Sequence, residues 1–278
     1  MKKITRRSFL AAAGLTAAAL ALTACGGSSS STASSIASSA ASSEAASSSA
    51  AAELTTVEAG KLTMATNAAF PPYEMTTDTG AFEGIDVDTA QAIAEKLGLE
   101  LQIDDMDFDA ALLSVQQGKA DIVMAGVTVT DERKAVMDFS DSYATGIQSI
   151  IVPEGSDIAT PDDLAGKKIG TQRGTTGYIY CSDDFGDENV VAYDDGLTAV
   201  QALNNGQVDA VVIDNAPAKE FIAANPGLVI LDTSYAEEDY AIGMAKGSAL
   251  EDAINATLEE LKADGTLQSI VDKYITAE

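Results

Sequence analysis

The sequence has no histidine, no tryptophan and only two cysteines among 278 residues. The absence of histidine excludes a Ser/His catalytic arrangement, and two cysteines are too few for an ordinary structural zinc site. If Cys25 is modified, Cys181 has no partner within the chain and no disulfide forms. We therefore expect no metal, no cofactor and no disulfide.

Basic residues are also scarce: 16 Lys and Arg stand against 43 Asp and Glu. Four of the 16 fall within the first seven residues, so a chain cleaved after that leader would carry 12 bases, for a net charge of −31. Such a charge excludes nucleic acid as a general partner and disfavours electrostatic docking on anionic lipid.

Residues 1–24 predict a lipoprotein signal peptide. A basic start precedes the apolar run FLAAAGLTAAALAL, which is too short and alanine-rich for a membrane span. The segment Thr5–Leu10 resembles a twin-arginine export signal, although general secretory leaders also contain arginine pairs. Leu22–Cys25 resembles the bacterial lipobox, which implies cleavage before Cys25, diacylation of its thiol, palmitate included, and anchoring to the membrane.

The stretch that follows predicts a tether. Residues 26–53 are almost wholly Ser, Ala and Gly, a composition that stays flexible and reaches about 30 Å for this length. We assign 25–57 to a lipid-anchored linker and expect the folded part to begin at 58.

Two similar stretches lie 88 residues apart in the folded part. QQGKADIVMAG at 116–126 is similar to NNGQVDAVVID at 204–214. Each stretch predicts the end of a helix, followed by a glycine, an aspartate and a buried strand. Ligands in open α/β sheets bind outside the carboxyl ends of strands. One strand leads towards Arg133 and the other ends at Asp214, so a cation and an anion would face a shared space that suits a zwitterion.

Arg133 is predicted to lie in the first turn of a short helix capped by Thr130 or Asp131. A cation there opposes the helix dipole, which indicates an anionic partner. The alternative is a surface ion pair with Asp131 or Glu132.

Elsewhere the pattern alternates strands and helices, which predicts βαβ units and a parallel sheet. We expect a strand at 61–66, an extended segment at 82–87, a helix at 89–97 capped by Asp88, a helix at 110–117 and a loop at 137–143.

Several motifs in order resemble the family 3 extracellular solute-binding proteins of bacterial ABC importers, over about residues 60–276. They are ATNAAFPPYE, FEGIDVD, MDFDAALLSVQQGKAD, AGVTVTDERK, DFSDSY, GKKIGTQRGTTG and VDAVVIDN. The chain departs from the family at Thr89, Ser142 and Asn67, where the family often has an aliphatic residue, proline and aspartate.

The resemblance implies a periplasmic-binding-protein-like type II fold, with two α/β lobes joined by two crossover strands. Lobe 1 would comprise 58–144 and 241–278, and lobe 2 would comprise 145–240. It also implies a monomer on the extracellular face of the bacterial membrane, capturing a polar amino acid and delivering it to an ABC permease and ATPase complex.

The resemblance further implies how the charged ends of the ligand bind. Arg133 would take the α-carboxylate, helped by Thr128 and the backbone at Gly126 and Thr176. Asp214 would take the α-ammonium. An arginine fork matches a carboxylate bidentately, so the physics favours the same roles.

The ligand's side chain would lie between Phe70 and Phe108, with Asn67, Gln172 and Thr175 at its polar end. For both aromatic residues the alternative is plain core packing.

Asn67 favours a neutral polar amino acid such as glutamine, because it replaces a carboxylate that could pair with a cationic side chain. Arg173 lies near enough to complicate that inference. If the protein prefers arginine, a nearby acid such as Glu74 or Asp107 must supply the missing charge.

Two other function classes stay open on the residues alone. The same fold hosts dehydratase-like enzymes, for which Asp214 and Glu74 would be the acid-base pair; we expect no enzyme. The second class is an amino-acid-sensing ectodomain that acts in trans on a signalling partner.

Overall fold

A computed structural model describes residues 54–275; the predicted leader, Cys25 and most of the predicted linker lie outside the described residues. The strands are β1 Lys61–Thr66, β2 Ala69–Phe70, β3 Glu74–Thr76, β4 Phe82–Glu83, β5 Glu100–Asp105, β6 Ile122–Val123, β7 Met137–Pro153, β8 Ile169–Gln172, β9 Val190–Tyr193, β10 Ala210–Asp214, β11 Leu228–Ile230 and β12 Ala236–Ala245. The helices are α1 Ile85–Leu97, α2 Phe108–Gln116, α3 Asp131–Val136, α4 Thr176–Phe185, α5 Gly196–Asn204, α6 Asn215–Ala223, α7 Glu251–Ala263 and α8 Thr266–Tyr274. Short 3-10 helices span Pro161–Leu164 and Asp187–Asn189. None of the helices between residues 54 and 275 combines the length and the apolarity that crossing a bilayer requires.

A nine-stranded sheet organises the chain, in the order β5-β1-β6-β12-β7-β10-β8-β9, with β11 beside β7; β2, β3 and β4 form a small separate sheet. β1 pairs in parallel with β5 and β6, and β8 pairs in parallel with β9 and β10. Between these parallel groups, β7 and β12 run antiparallel to each other. The predicted α/β class is confirmed, with the parallel pairing confined to the two outer groups.

The repeated stretch builds the same local structure twice. The glycine after each helix has a φ of 66°, a left-handed conformation that glycine adopts without a steric cost. The Asp121 carboxylate then accepts a hydrogen bond from the Thr63 backbone N–H at 2.8 Å, and Asp209 accepts one from Lys168 at 2.8 Å. Each aspartate therefore fastens its loop to the start of the neighbouring parallel strand.

Apolar side chains fill the space between the sheet and the helices. Leu62 and Met64 of β1 pack with Ile93 of α1 and Leu258 of α7, and all four are fully buried. A separate cluster around Ile169 packs against the far part of the sheet. Burying one such side chain is worth about 1.5–3 kcal/mol, so these contacts fix the sheet edges that carry the polar residues described below.

Helix α1 begins at Ile85, so the predicted start at Thr89 behind an Asp88 cap is wrong. The residue before the helix is Gly84, with a φ of 135°. A Cβ at Gly84 would collide with the carbonyl oxygen of Tyr73. The helix therefore starts where a tertiary contact requires glycine, which the local pattern does not reveal.

Two further local predictions are wrong. The segment predicted as extended, 82–87, is a strand only at its first two residues. The segment predicted as a loop, 137–143, is the first part of β7, paired with β12. Ser142 and Ala144 pair with consecutive residues of β12, so Tyr143 is an extra residue that bulges from the ladder.

Candidate functional site

A cavity lies where the carboxyl ends of β1, β6, β8 and β10 meet, the edge at which α/β sheets bind ligands. The structure brings all ten predicted ligand-contacting residues to this cavity. They are Asn67, Phe70, Phe108, Gly126, Thr128, Arg133, Gln172, Thr175, Thr176 and Asp214. That they contact a ligand stays a prediction.

Arg133 is positioned by the capped start of α3. The Thr130 hydroxyl accepts a hydrogen bond from the Arg133 backbone N–H at 3.2 Å, which makes Thr130 the cap. The guanidinium donates from Nη1 to the Thr128 carbonyl oxygen at 2.7 Å and from Nη2 to the Gly174 carbonyl oxygen at 3.1 Å. Its central carbon lies 5.3 Å from the ring centroid of Phe108.

The alternative of a surface ion pair with Asp131 or Glu132 is wrong, because both acids are exposed whereas Arg133 is 8 % exposed. Burial lowers the pKa of Arg133, and the nearby Glu238 carboxylate opposes that shift. A guanidinium has five N–H donors, so three remain after the two carbonyl bonds. Three donors suffice for a bidentate carboxylate contact.

Asp214 is the last residue of β10 and the cap of α6, and it is 1 % exposed. Its Oδ1 accepts from the Ala216 N–H at 2.9 Å; its Oδ2 accepts from the Ile147 N–H at 2.8 Å and from the Tyr240 hydroxyl at 3.0 Å. Burial raises the pKa of Asp214 to about 6, against the effect of these hydrogen bonds. At pH 7 and above the carboxylate is mostly ionised and can attract an ammonium group.

Asn67 and Gln172 meet at another part of the cavity wall. Gln172 donates from Nε2 to the Asn67 Oδ1 at 2.8 Å, and Asn67 donates from Nδ2 to the Met106 carbonyl oxygen at 3.0 Å. The Thr175 hydroxyl donates to the Gln172 carbonyl oxygen at 2.8 Å and caps α4. These amides can both donate to and accept from a polar ligand group.

Phe70 and Phe108 give the cavity its aromatic walls, and both are buried. The ring of Phe70 stacks on that of Tyr73 with a centroid distance of 5.8 Å. Gly126, with a φ of 55°, faces Phe70 so closely that an added Cβ would lie 3.0 Å from the ring. Any other residue at Gly126 would crowd the cavity.

Thr128 and Thr176 approach each other across the cavity, with hydroxyl oxygens 3.3 Å apart. Thr128 also donates to the buried Glu238 carboxylate at 3.1 Å, as does the Gln148 amide at 2.9 Å. Like the Arg133 contact with Gly174, the threonine pair joins the segment after β6 to the start of α4.

Six cavity residues were not among the ten predicted: Glu74, Ala125, Gln148, Val212, Ile213 and Tyr240. Of these six, Tyr240 lies on β12, on the same strand face as Glu238, and the strand's period of two is the signal that could have found it. Glu74, considered from sequence as a substitute acid and as half of an acid-base pair with Asp214, is fully buried, and burial raises its pKa well above the ordinary glutamate value. In the described range 54–275, no group of three or more Cys, Asp or Glu residues is arranged to hold a metal ion.

Comparisons with known proteins give one consistent result. Residues 62–277 match the family model for bacterial extracellular solute-binding proteins, family 3. The L-cystine-binding protein TcyJ of Escherichia coli (strain K12) is 32 % identical over 226 residues, which cover 80 % of this chain and 85 % of that protein.

Two solved structures of an ancestral arginine-binding protein are also similar. The one bound to arginine is 42 % identical, with a TM-score of 0.74, and covers 78 % of this chain and 98 % of that one. The one bound to glutamine is 41 % identical, with a TM-score of 0.75, and covers 78 % and 99 %.

Proposed function

This chain belongs to family 3 of the bacterial extracellular solute-binding proteins, and from that membership we propose that it captures a polar amino acid and delivers it to an ABC permease and ATPase complex. The observation that carries the proposal is the pair of opposite charges on one cavity, Arg133 and Asp214. A free amino acid carries the matching carboxylate and ammonium groups. We expect the ligand to leave chemically unchanged, as from a binding protein rather than an enzyme.

The ten cavity residues predicted from sequence supply the proposed contacts. Arg133 and Thr128 take the carboxylate, with the backbone at Gly126 and Thr176. The Gly126 N–H already donates to Asp86 at 3.0 Å, so a carboxylate would share that donor. Asp214 takes the ammonium group and keeps its three existing hydrogen bonds.

The proposed side-chain contacts lie at the opposite end of the ligand. Phe70 and Phe108 enclose the aliphatic part, and Asn67, Gln172 and Thr175 reach a polar group beyond it. This arrangement suits a long side chain that ends in nitrogen, as in glutamine or arginine.

The proposed division into two lobes, 58–144 with 241–278 and 145–240, explains how capture would be signalled. The Asn67–Gln172 contact and the Arg133–Gly174 contact each join the two lobes. The polypeptide crosses between the lobes in β7 and β12, where the ladder register shifts beside Tyr240. A ligand that bridges both lobes stabilises their closed arrangement, and a permease can recognise that arrangement.

The proposed location is the outer face of the cell membrane, where a lipid on Cys25 would hold a monomer through the 25–57 linker. Cys25 lies outside the described residues, and the support is the LTAC motif behind an apolar run. The family's proteins act outside the cytoplasm, which agrees with an exported chain.

A thermal-shift screen of the purified protein against the twenty amino acids and cystine tests the proposed function. We expect a rise in the melting temperature with one or a few polar amino acids, confirmed by calorimetry at a stoichiometry of one. The Arg133→Ala variant should show no shift, whereas Arg173→Ala, at an exposed arginine outside the cavity, should behave like the wild type. A screen with no shift for any amino acid would contradict the proposal.

A further inference from the structure

Two buried carboxyl groups, Glu74 and Asp86, lie together at the cavity. Both side chains are fully buried, and Glu74 lines the cavity directly. Neither oxygen of Glu74 has a hydrogen bond of ordinary geometry, nor does Oδ1 of Asp86, while Oδ2 of Asp86 accepts from the Gly126 N–H at 3.0 Å. An ionised carboxylate can only accept hydrogen bonds. Two carboxyl groups can therefore hydrogen-bond to each other only when one of them carries a proton.

The groups that face this pair come from four separate segments of the chain. Tyr143, on the β7 bulge, and Gly126, after β6, face Asp86 and favour its ionised form. Tyr73 lies beside Glu74, and Asp105 of β5 adds further negative charge near Glu74. The charged groups that most affect Glu74 are therefore other carboxylates, which disfavour a second negative charge in the pair.

The energetics follow from this geometry. Burial, followed by the nearby Asp86 charge, raises the pKa of Glu74 well above its ordinary value, and burial raises the pKa of Asp86 to about 6. Because two adjoining buried carboxylates repel each other and three of their four oxygens lack a hydrogen-bond donor, we infer that the pair shares one proton and one negative charge. A guanidinium at the cavity wall would supply the charge that lets both carboxyl groups ionise.

We propose that the Glu74–Asp86 carboxyl pair is a proton-exchanging specificity element, which releases its proton to solvent when a cationic side chain binds and keeps it when a neutral amide binds. The inference rests on the proposed function, since Glu74 lines the cavity in which the amino acid would bind. It reconciles the neutral amides of Asn67 and Gln172 with a cationic ligand, because the missing charge comes from the pair.

Proton counting by calorimetry tests this inference on the wild-type protein. Arginine and glutamine are titrated at pH 7 in phosphate and in Tris, whose ionisation enthalpies differ, so the heat difference gives the protons released. We expect about one proton per arginine and nearly none per glutamine. From pH 6.5 to 8, arginine should bind up to about tenfold more tightly per pH unit relative to glutamine, as release of one proton requires.

Glutamine is the necessary reference ligand. Asp214 also has a raised pKa, and an α-ammonium group would displace its proton with either amino acid. The difference between arginine and glutamine therefore isolates the pair.

The Glu74→Gln variant removes the exchangeable proton while keeping the shape of the side chain. We expect proton release with arginine to vanish, and arginine binding to weaken at least tenfold more than glutamine binding. The matched control is Glu83→Gln, in the same small sheet but outside the cavity, which should match the wild type.

Arginine binding without proton release by the wild type would overturn the inference, whether or not Glu74→Gln folds. Binding of glutamine but not arginine would also overturn it and leave the proposed function standing. Failure of every amino acid to bind would instead count against the proposed function.

Discussion

Gln172 donates a hydrogen bond from Nε2 to Oδ1 of Asn67 at 2.8 Å, and both side chains are almost fully buried. The two residues are 105 positions apart in sequence, so the contact exists only because the ends of β1 and β8 meet at the cavity. Both groups are neutral, and we propose that together with Glu74 they select the side chain of the ligand.

Asn67→Asp should shift binding towards arginine or lysine. The substitution adds a carboxylate beside the side-chain end of the cavity, and one new ion pair there is worth about 1–3 kcal/mol. Calorimetry with glutamine, arginine and glutamate on both proteins measures the shift. Asn205→Asp makes the same change at an exposed helix end and should leave the preference unaltered; an unaltered preference in Asn67→Asp itself would refute the assignment.

Arg133→Ala should abolish amino-acid binding. The substitution leaves a ligand carboxylate without its cationic partner in a buried cavity, at a cost of several kcal/mol. A parallel titration with the methyl ester of the ligand tests the same contact from the other side. If the ester binds wild-type protein as tightly as the free acid, Arg133 does not hold the carboxylate.

Asp214→Asn should weaken binding by at least tenfold, because one charge-assisted hydrogen bond is worth ~1.5–3 kcal/mol. The asparagine Oδ1 can keep some of the present contacts, so the loss should be smaller than for Arg133→Ala. Calorimetry with the free and the N-acetylated amino acid measures it. Asp232→Asn, at an exposed aspartate, is the control, and equal binding of the acetylated ligand would contradict the role of Asp214.

The stability of the ligand-free protein should fall as the pH rises from 5 to 8. The folded-state pKa values of Asp86 and Asp214 are raised to about 6 and that of Glu74 well above its ordinary value, whereas these groups titrate at about pH 4 in the unfolded chain. Between the unfolded-state and the folded-state pKa values, the folded protein binds more protons than the unfolded chain. The stabilisation that these three groups contribute is therefore complete below about pH 4 and is lost as the pH rises past their folded-state pKa values. Thermal melts across this range measure the slope.

Glu74→Gln provides the internal control for that slope. The variant lacks the carboxyl group whose pKa is raised most clearly, so its melting temperature should fall less steeply between pH 6 and 8. A wild-type melting temperature that rises steadily from pH 5 to 8 would show that these carboxyl groups are ionised at little cost.

Cys25→Ala should release the protein from the membrane fraction. The motif LTAC precedes a Ser/Ala tether, and the lipid on Cys25 is the proposed anchor. Fractionation of cells followed by immunoblotting measures the distribution, with Cys181→Ala as the matched change at the other cysteine. A processed Cys25→Ala protein that stays with the membrane would argue against lipidation.

The site was predictable because its polar residues occupy recognisable positions at strand ends. Asp214 follows a run of buried branched residues, and Arg133 follows a capping threonine, so both could be located without coordinates. The doubled stretch identified the two strands that lead to the cavity. In each copy the aspartate, Asp121 or Asp209, accepts a backbone hydrogen bond from the start of the neighbouring strand.

The sequence was less informative where a distant segment decides the local structure. Tyr143 looked like part of a polar-aromatic loop, since MDFSDSY lacks clean alternation; the bulges opposite β12 are what break the alternation. Asp88 looked like a helix cap, yet the helix begins earlier because Gly84 packs against Tyr73. The Glu74–Asp86 pairing is equally invisible locally, since nothing in either motif shows that two acids share one buried space.

The side-by-side course of β7 and β12 has a mechanical consequence. Residues 144–148 pair with residues 236–240 where the chain passes between the two proposed lobes, so the passage is a two-stranded ribbon. A ribbon flexes easily across its thin direction but resists bending in its own plane, which would stretch one strand and compress the other. We propose that this ribbon guides the two lobes along one arc as they separate and close, so that the cavity walls return to the same alignment.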